Sequence, residues 1–355
     1  MAKRRSPVTG ILAAAAMAAM ILDTKTAMLG AGAGVELCMK TVIPSLFPFL
    51  ILSVLLTDSL SGTTIRIFRV LGNRCGIPAG AESILVAGFL GGYPVGAQCV
   101  CQGYASGRLG RHDAQRMLGF CSNAGPAFLF GMLASQFSSR FAPFVLWGIH
   151  ILSAILVGFL LPGKQQSKSK IPAGKQLSIG QAMQESVRIM AGICGWVVLF
   201  RVIITFLERW FFWLLDKEEF VLLSGILELA NGCMNLQILG GEGARFVAAS
   251  FFLGFGGLCV ALQTFSVTAR AGLNIGSYFP GKILQAIISS LLAWPSALLL
   301  YPETAVDIRF AALPVIAGGI VLAFLKKEKL SVAFQHFLVY NQEKVLKGGR
   351  SHALP

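Results

Sequence analysis

The stretch "FLGGYPVGAQ", residues 89–98, places three glycines and a proline inside a long apolar run. Glycine permits backbone conformations that other residues avoid, and proline lacks the N–H group that continues a helix. A helix interrupted here would leave backbone N–H and C=O groups unpaired, which is costly against lipid. In a membrane protein such a break survives only where protein or water covers it. The stretch therefore predicts a polar site within a bilayer.

The composition identifies the kind of chain in which this break occurs. Of its 355 residues, 55% are hydrophobic and 13% are charged, and the mean hydropathy is +0.71. An ordinary soluble domain carries about 25% charged residues. Several apolar runs reach the length of about 20 residues that a helix needs to cross a bilayer. The sequence predicts an all-α, polytopic helical membrane protein surrounded by the lipid bilayer.

The charge, the cysteines and the motifs narrow the range of functions. The formal net charge is +14, but Lys and Arg are scattered through loops and tails, so we expect positive-inside topology and no nucleic-acid partner. None of the eight cysteines forms a CxxC pair or lies at zinc spacing to a histidine, so we interpret them as packing residues. The sequence has no HExxH, GxSxG or P-loop motif. We expect no enzymatic activity, no bound metal and no resident cofactor.

Polar and basic segments divide the chain. We predict an N-terminal transmembrane helix at 1–30, a first repeat at 31–161, a basic cytoplasmic linker at 162–180, a second repeat at 181–325 and a basic cytoplasmic tail at 326–355. The N-terminus also resembles a signal peptide with a cleavage site near "AGA". Because many spans follow, we favour an uncleaved first helix.

A second Gly-rich stretch, "FLGFGGLCVALQ" at 252–263, resembles the first at an offset of 163 residues. Broken helices at matching positions of two halves are typical of secondary transporters. The pair predicts an internal inverted repeat with broken helices and re-entrant hairpins, and about eight full crossings. The orientation stays open, since Arg108, Arg111 and Arg116 favour the cytoplasm whereas an inverted second half would place Arg270 outside.

Four stretches supply the candidate substrate-binding residues, because helix breaks expose backbone groups and bring polar side chains into an apolar region. The candidates are Gly92, Tyr93, Pro94, Gly96 and Gln98; Asn123, Gly125 and Pro126; Glu228 and Asn231; and Gly256, Gly257 and Gln263. The alternative for the glycines is close helix packing, and the alternative for Asn123 is an interhelical hydrogen bond.

Glu228 is a carboxylate well inside an apolar run, so we expect it to face a cavity, to be protonated or to meet a cation. This makes Glu228 the candidate for coupling to protons or sodium ions. The alternative is a salt bridge to Arg201 or Arg188. Arg188, Arg201 and Lys282 could each neutralise Glu228, hold an anionic cargo or snorkel to an interface. His150 is expected to be a packed, hydrogen-bonded side chain.

Several motifs together resemble a known family: "TVIPSLFPFLILSVLL", "GFLGGYPVGAQ", "NAGPAFLFG", "LELANG" and "FLGFGGLCVALQ", in that order. They are similar to motifs of the YlbJ-type sporulation integral membrane proteins, which carry nucleoside recognition (Gate) domains. The resemblance covers about residues 10–325. Gate domains also resemble parts of concentrative nucleoside transporters, in which two re-entrant hairpins and two unwound helices meet near the midplane.

The resemblance assigns elements and suggests a function. It implies that residues 92–98 belong to a first hairpin, residues 123–126 to an unwound helix, and residues 254–263 to a second hairpin. We expect a transporter of a small polar or anionic solute in the cell membrane of a spore-forming bacterium, with dipicolinate as a candidate cargo. A non-transporting scaffold of spore assembly and a nucleoside-type transporter are the alternatives, and homo-oligomer formation stays open.

Overall fold

The computed structural model describes residues 7–60, 66–161, 178–211 and 213–303, which contain helices and no β-strand. The first part comprises α1 (Pro7–Leu22), α2 (Thr24–Leu37), α3 (Ile43–Ser59), α4 (Arg66–Arg74), α5 (Glu82–Leu90), α6 (Val95–Ala105), α7 (Arg111–Met117), α8 (Pro126–Phe128) and α9 (Ala142–Leu160). The second comprises α10 (Ile179–Phe211), α11 (Lys217–Leu227), α12 (Leu229–Met234), α13 (Glu242–Phe255), α14 (Gly257–Arg270) and α15 (Tyr278–Leu300). Short 3₁₀ turns lie between α8 and α9, at Ala134–Gln136, and between α12 and α13, at Leu236–Ile238.

Five segments are long and apolar enough to cross a membrane: Thr24–Leu56, Ala142–Leu160, Ile179–Phe211, Glu242–Arg270 and Tyr278–Leu300. The predicted all-α polytopic membrane fold is therefore confirmed. The predicted linker, apart from residues 178–180, lies outside the described residues, as do the tail and the apolar run at 308–325. The first helix ends at Leu22, earlier than predicted, and α2 begins two residues later.

The same order of elements occurs twice along the described chain. A long segment, α2–α3 or α10, precedes a helical hairpin, which is followed by an interrupted crossing and then by a long helix, α9 or α15. The first interrupted crossing is α7–α8, with the first interruption at 118–125, and the second is α13–α14, with the second interruption at Gly256. Hairpin 1 is formed by α5 and α6, and hairpin 2 by α11 and α12. In each hairpin two glycines face one another, Gly88 with Gly96 and Gly225 with Gly232, so that the arms approach too closely for a Cβ.

The first interrupted crossing runs antiparallel to α9. Phe120 contacts Gly158 near the end of α9, and the backbone of Ala124 contacts His150 at its middle. Phe130 lies on Phe144 near the start of α9, with ring centroids 4.9 Å apart. In the second half, α13 runs antiparallel to α15 in the same way, since Phe246 contacts Tyr301 and Gly254 lies against Ala286.

The structure corrects the position of the second hairpin. The resemblance places residues 254–263 in it, but α13 packs mainly on α15, whereas α14 packs on α6, α10 and α11. Hairpin 2 instead turns at Glu228, whose backbone is extended between α11 and α12. The sequence match at an offset of 163 residues therefore aligned the tip of hairpin 1 with the break between α13 and α14, which is not a hairpin tip. Gly256 and Gly257 both have positive φ and redirect the chain at this break, whereas the arms of hairpin 2 pack against each other at Gly225 and Gly232.

Contacts at the helix ends show which of them lie at the same end of the molecule. Arg111 donates to the carbonyl oxygen of Gly272 at 3.1 Å, which places the turn after Arg270 beside the start of α7. Arg270 therefore lies at the same end as Arg108, Arg111 and Arg116, and of the two arrangements that the sequence left open, the one with Arg270 at the opposite end does not occur. At the other end Ser138 meets Glu242. By the positive-inside rule, we infer that the arginine-rich end faces the cytoplasm.

The span that contains Pro44 and Pro48 is irregular, because a π-helical turn at Cys38–Val42 joins α2 to α3 just before Pro44. The prediction about the cysteines also has an outcome. The cysteines pack as apolar residues, since all of them are buried except Cys194, which is half-buried.

Candidate solute site between two hairpins

The tip of hairpin 1 is built by the Gly-Pro stretch with which the sequence analysis began. Gly92 has φ of 71°, a conformation that suits glycine, and a Cβ at this position would lie 3.0 Å from the backbone nitrogen of Gly125. Pro94 precedes α6 directly, and the Tyr93–Pro94 peptide bond is cis. A Cβ at Gly96 would overlap the carbonyl oxygen of Cys121. The tip therefore fits closely into the first interruption.

The first interruption satisfies its backbone through neighbouring side chains. Asn123 donates from Nδ2 to the carbonyl oxygen of Phe120 at 2.7 Å, and the Ala124 N–H donates to Nε2 of His150 at 3.0 Å. Pro126 is the first residue of α8, a position where a helix has no use for the missing N–H. The predicted unwound helix at residues 123–126 is therefore present.

A fully buried lysine links the tip of hairpin 1 to this interruption. Lys282 Nζ lies 2.7 Å from Gln285 Oε1, 3.2 Å from the Tyr93 hydroxyl and 3.4 Å from Asn123 Oδ1. Gln285 also donates to Asn123 Oδ1 at 2.9 Å and to the carbonyl oxygen of His150 at 3.3 Å. We call Tyr93, Asn123, His150, Lys282 and Gln285 the lysine cluster. Among the described residues no carboxylate pairs with Lys282.

Glu228 forms the tip of hairpin 2 and caps α12. Its two carboxylate oxygens accept hydrogen bonds from the backbone nitrogens of Ala230 and Asn231 at 3.0 and 2.7 Å, and one also accepts from Asn231 Nδ2 at 2.7 Å. Arg201 donates to Asn231 Oδ1 at 3.3 Å, and Arg188 pairs with Glu185 at 3.6 Å. Within the described residues, neither predicted salt bridge of Glu228 is present.

A small cavity lies between the two hairpin tips. Its volume is about 70 Å³, which suffices for a few water molecules. The lining includes Gly91, Gly92 and Tyr93 from hairpin 1, Gly125 from the first interruption, Glu228, Leu229 and Ala230 from hairpin 2, and Gln263 from α14. We call it the central cavity.

A wider vestibule of about 410 Å³ lies toward the arginine-rich end. Its polar lining is formed by Gln98, Gln102, Glu185, Arg188, Gln263, Ser266 and Arg270. Gln263 and Ile193 line both the vestibule and the central cavity. These two side chains therefore stand between the wide space and the narrow one.

The predicted candidates fall into three groups. Those that line the central cavity are Gly92, Tyr93, Gly125, Glu228 and Gln263, and those that line the vestibule are Pro94, Gln98 and again Gln263. The others shape the walls: Gly96, Asn123, Pro126, Asn231, Gly256 and Gly257.

Gly256, with φ of 82°, lies against the Tyr93 hydroxyl, and Gly257 lies against the tip of hairpin 2. The second interruption thus touches both hairpin tips. Three polar residues beside these tips, His150, Lys282 and Gln285, were absent from the predicted set. His150 is packed and hydrogen-bonded as expected, but within a cluster that the sequence analysis did not foresee. The spacing of Lys282 and Gln285, three residues apart and so on one face of an apolar helix, was the available signal.

Comparison with known proteins supports the resemblance. The chain is 24% identical to the sporulation integral membrane protein YlbJ of Bacillus subtilis (strain 168). The similarity covers 74% of this chain and 76% of the relative. No family model matches the chain, so none confirms a Gate domain. No solved structure matches it either. The chain is thus similar to a YlbJ-type sporulation integral membrane protein over about three quarters of its length, and both the similarity and the helical membrane fold agree with the resemblance seen in the motifs.

Proposed function

We propose that the chain is a sporulation-associated membrane carrier that moves a small polar or anionic solute through the space between its two hairpin tips. The observation that carries the proposal is the central cavity, which both tips line and which two side chains separate from a wide vestibule. Paired breaks that meet around a cavity are the arrangement by which transporters expose backbone groups to a solute.

The charges beside this path favour an anion. Arg188 and Arg270 line the vestibule, and the pairing of Arg188 with Glu185 is exposed and therefore weak. Lys282 adds a buried amino group, positive when protonated, beside the tip of hairpin 1, and no carboxylate pairs with it in the described part of the chain. The cavity holds only a few waters in this conformation, so a larger solute requires the hairpins to separate.

The test is uptake into proteoliposomes that contain the purified chain. The probes are dipicolinate, benzoate and uridine, which separate an anion carrier from a nucleoside carrier. In the variant Gly92→Leu the new side chain would collide with the first interruption, so we expect uptake to fall by about tenfold or more. A tenfold loss corresponds to a free-energy cost of about 1.4 kcal/mol. The matched control is Gly107→Leu, since Gly107 also has positive φ but open space around its Cβ position.

Glu228→Gln separates a carrier from a scaffold. The amide keeps one acceptor for the backbone of α12 and removes the charge, so the variant should reach the membrane while uptake falls. Absence of uptake for all three probes by a folded, inserted protein would favour the scaffold. Normal dipicolinate content in spores of a deletion strain would exclude dipicolinate as the cargo.

A further inference from the structure

Lys282 has an ionisable amino group that is fully buried and lies among neutral oxygen atoms. Its side chain has 0% exposure, as do those of Asn123 and Gln285. An ammonium ion removed from water is costly to bury unless partners replace its hydration, and a charge within a membrane helix marks a functional position. The chain places Lys282 in α15 where leucine or alanine would pack without this cost.

The number of N–H donors on the ammonium group equals the number of oxygen acceptors around it. It has three N–H donors and no acceptor, and three oxygens from three elements lie within 3.4 Å: Tyr93 from hairpin 1, Asn123 from the first interruption and Gln285 from α15. The ammonium also lies 5.2 Å from the centre of the Tyr93 ring, a distance suited to a cation–π contact. The positive charge therefore holds three separate elements together.

We propose that Lys282 is a built-in cation that couples this carrier to protons, by latching the tip of hairpin 1 when it is charged and releasing the tip when it is neutral. This inference rests on the proposed function. The proton leaves the ammonium for water in the central cavity, of which Tyr93 forms part of the wall. The neutral amine loses the cation–π contact with the Tyr93 ring and the charge assistance of its hydrogen bonds to Tyr93 and Asn123, so its hold on the tip of hairpin 1 weakens.

The groups around Lys282 make it a better coupling residue than Glu228. The titratable side chains that face it are Tyr93 from hairpin 1, Cys121 beside the first interruption, and His150 from α9, with Tyr278 one turn earlier in α15. None of these is a carboxylate. The two oxygens of Glu228 instead serve the backbone of its own hairpin, so its charge state affects α12 before it affects any other element.

The same geometry argues against a sodium ion at this point. A sodium site between hairpin 1 and the first interruption would use oxygens such as those of Tyr93, Asn123 and Gln285, and Lys282 Nζ already lies among them. We therefore expect transport to depend on protons and to be indifferent to sodium.

The test that needs no cargo is hydrogen–deuterium exchange of the tip of hairpin 1, residues 89–96, in the purified full chain. Rates are corrected for the intrinsic effect of pH and compared between about pH 6 and about pH 10, a range that ends near the ordinary titration of lysine. We expect protection of the tip to fall several-fold as pH rises in the native chain. In Lys282→Met protection should be low and independent of pH, and in Lys282→Arg it should be independent of pH. Lys40→Met is the control, because Lys40 is exposed and paired with Glu36.

The second measurement is uptake of the three probes into proteoliposomes, with sodium replaced by N-methyl-glucamine and with or without a pH gradient. A response to pH alone, lost in Lys282→Met and retained in Lys40→Met, supports the proposal. A requirement for sodium, or a pH-dependent tip in Lys282→Met, overturns it. If the exchange of the tip depends on pH through Lys282 but the protein transports none of the probes, the latch is supported and the proposed transport function is contradicted.

Discussion

The two hairpins have similar places in the fold but satisfy their polar tips in different ways. At the tip of hairpin 1, Tyr93 donates to the carbonyl oxygen of Leu253 at 3.3 Å and accepts from Lys282 at 3.2 Å, so its partners belong to α13 and α15. At the tip of hairpin 2, Glu228 bonds to residues two and three positions later in its own chain. Hairpin 1 is thus held from outside, whereas hairpin 2 is largely held from within.

This difference predicts how each hairpin can move. Hairpin 2 can shift with most of the polar groups at its tip still paired, and the described contact that ties its tip to α10 through a side chain is Arg201 with Asn231. Hairpin 1 cannot shift without breaking contacts to Tyr93, and buried polar groups left unpaired are costly. In an alternating carrier, hairpin 2 is then the freer element, and hairpin 1 moves only after its latch opens.

The largest effect should come from replacing the closely packed glycines in the arms of the two hairpins. Gly96→Ala would press a methyl group against the backbone at Cys121, and Gly232→Ala would press one against Gly225. Because backbone cannot yield as a flexible side chain can, we expect each to lower stability by about 1–3 kcal/mol. Thermal unfolding in detergent measures this. The control Gly148→Ala lies in α9 with open space and should be neutral or stabilising. A stable Gly96→Ala would break the claim that hairpin 1 fits closely into the first interruption.

A smaller effect should distinguish the internal support of hairpin 2. Glu228→Ala removes the acceptors of two buried backbone N–H groups, so we expect a loss of about 1–2 kcal/mol, measured by denaturation. Glu228→Gln should lose less, because the amide oxygen still accepts one bond. Glu36→Ala provides the matched control, since Glu36 is exposed and its pairing with Lys40 should contribute less than about 1 kcal/mol. Equal stability of Glu228→Ala and the native chain would mean that hairpin 2 does not depend on its own cap.

The smallest effect concerns the external support of hairpin 1. Tyr93→Phe keeps the ring over Lys282 and removes the hydroxyl, so we expect a loss of about 1 kcal/mol. A double-mutant cycle with Lys282→Met should show that the two changes are not additive. Tyr104→Phe, on the same hairpin, is the control, because its hydroxyl has no hydrogen bond to a described residue and should not couple to Lys282. Additivity of Tyr93→Phe with Lys282→Met would separate the tyrosine from the latch.

The features that the sequence predicted correctly have strong local causes. Gly92 and Pro94 cannot continue an ordinary helix, so the first break could be located to within a few residues. Asn123, Gly125 and Pro126 gave the same kind of signal for the first interruption. Length and hydropathy sufficed for the long spans, including the 33 residues of α10.

The features that it missed depend on contacts distant in sequence. Hairpin 2 turns at a glutamate flanked by two leucines, and its glycines lie in the arms, so no helix breaker marks the tip. The Gly-rich stretch at 252–263 carried that signal instead and was assigned to the wrong element. Lys282 and His150 belong to uninterrupted helices, and their meeting through Gln285 follows from the packing of α15 on α9.

The vestibule at the arginine-rich end has an electrical consequence. A membrane that is negative inside contributes about 2.3 kcal/mol for each elementary charge that crosses 100 mV. An anion loaded from that end, if it faces the cytoplasm, is driven outward by the potential, and a doubly charged anion gains twice as much. The membrane potential would therefore favour export of an anion by a carrier with this vestibule. The arginines would raise the local concentration of the anion before the hairpins separate.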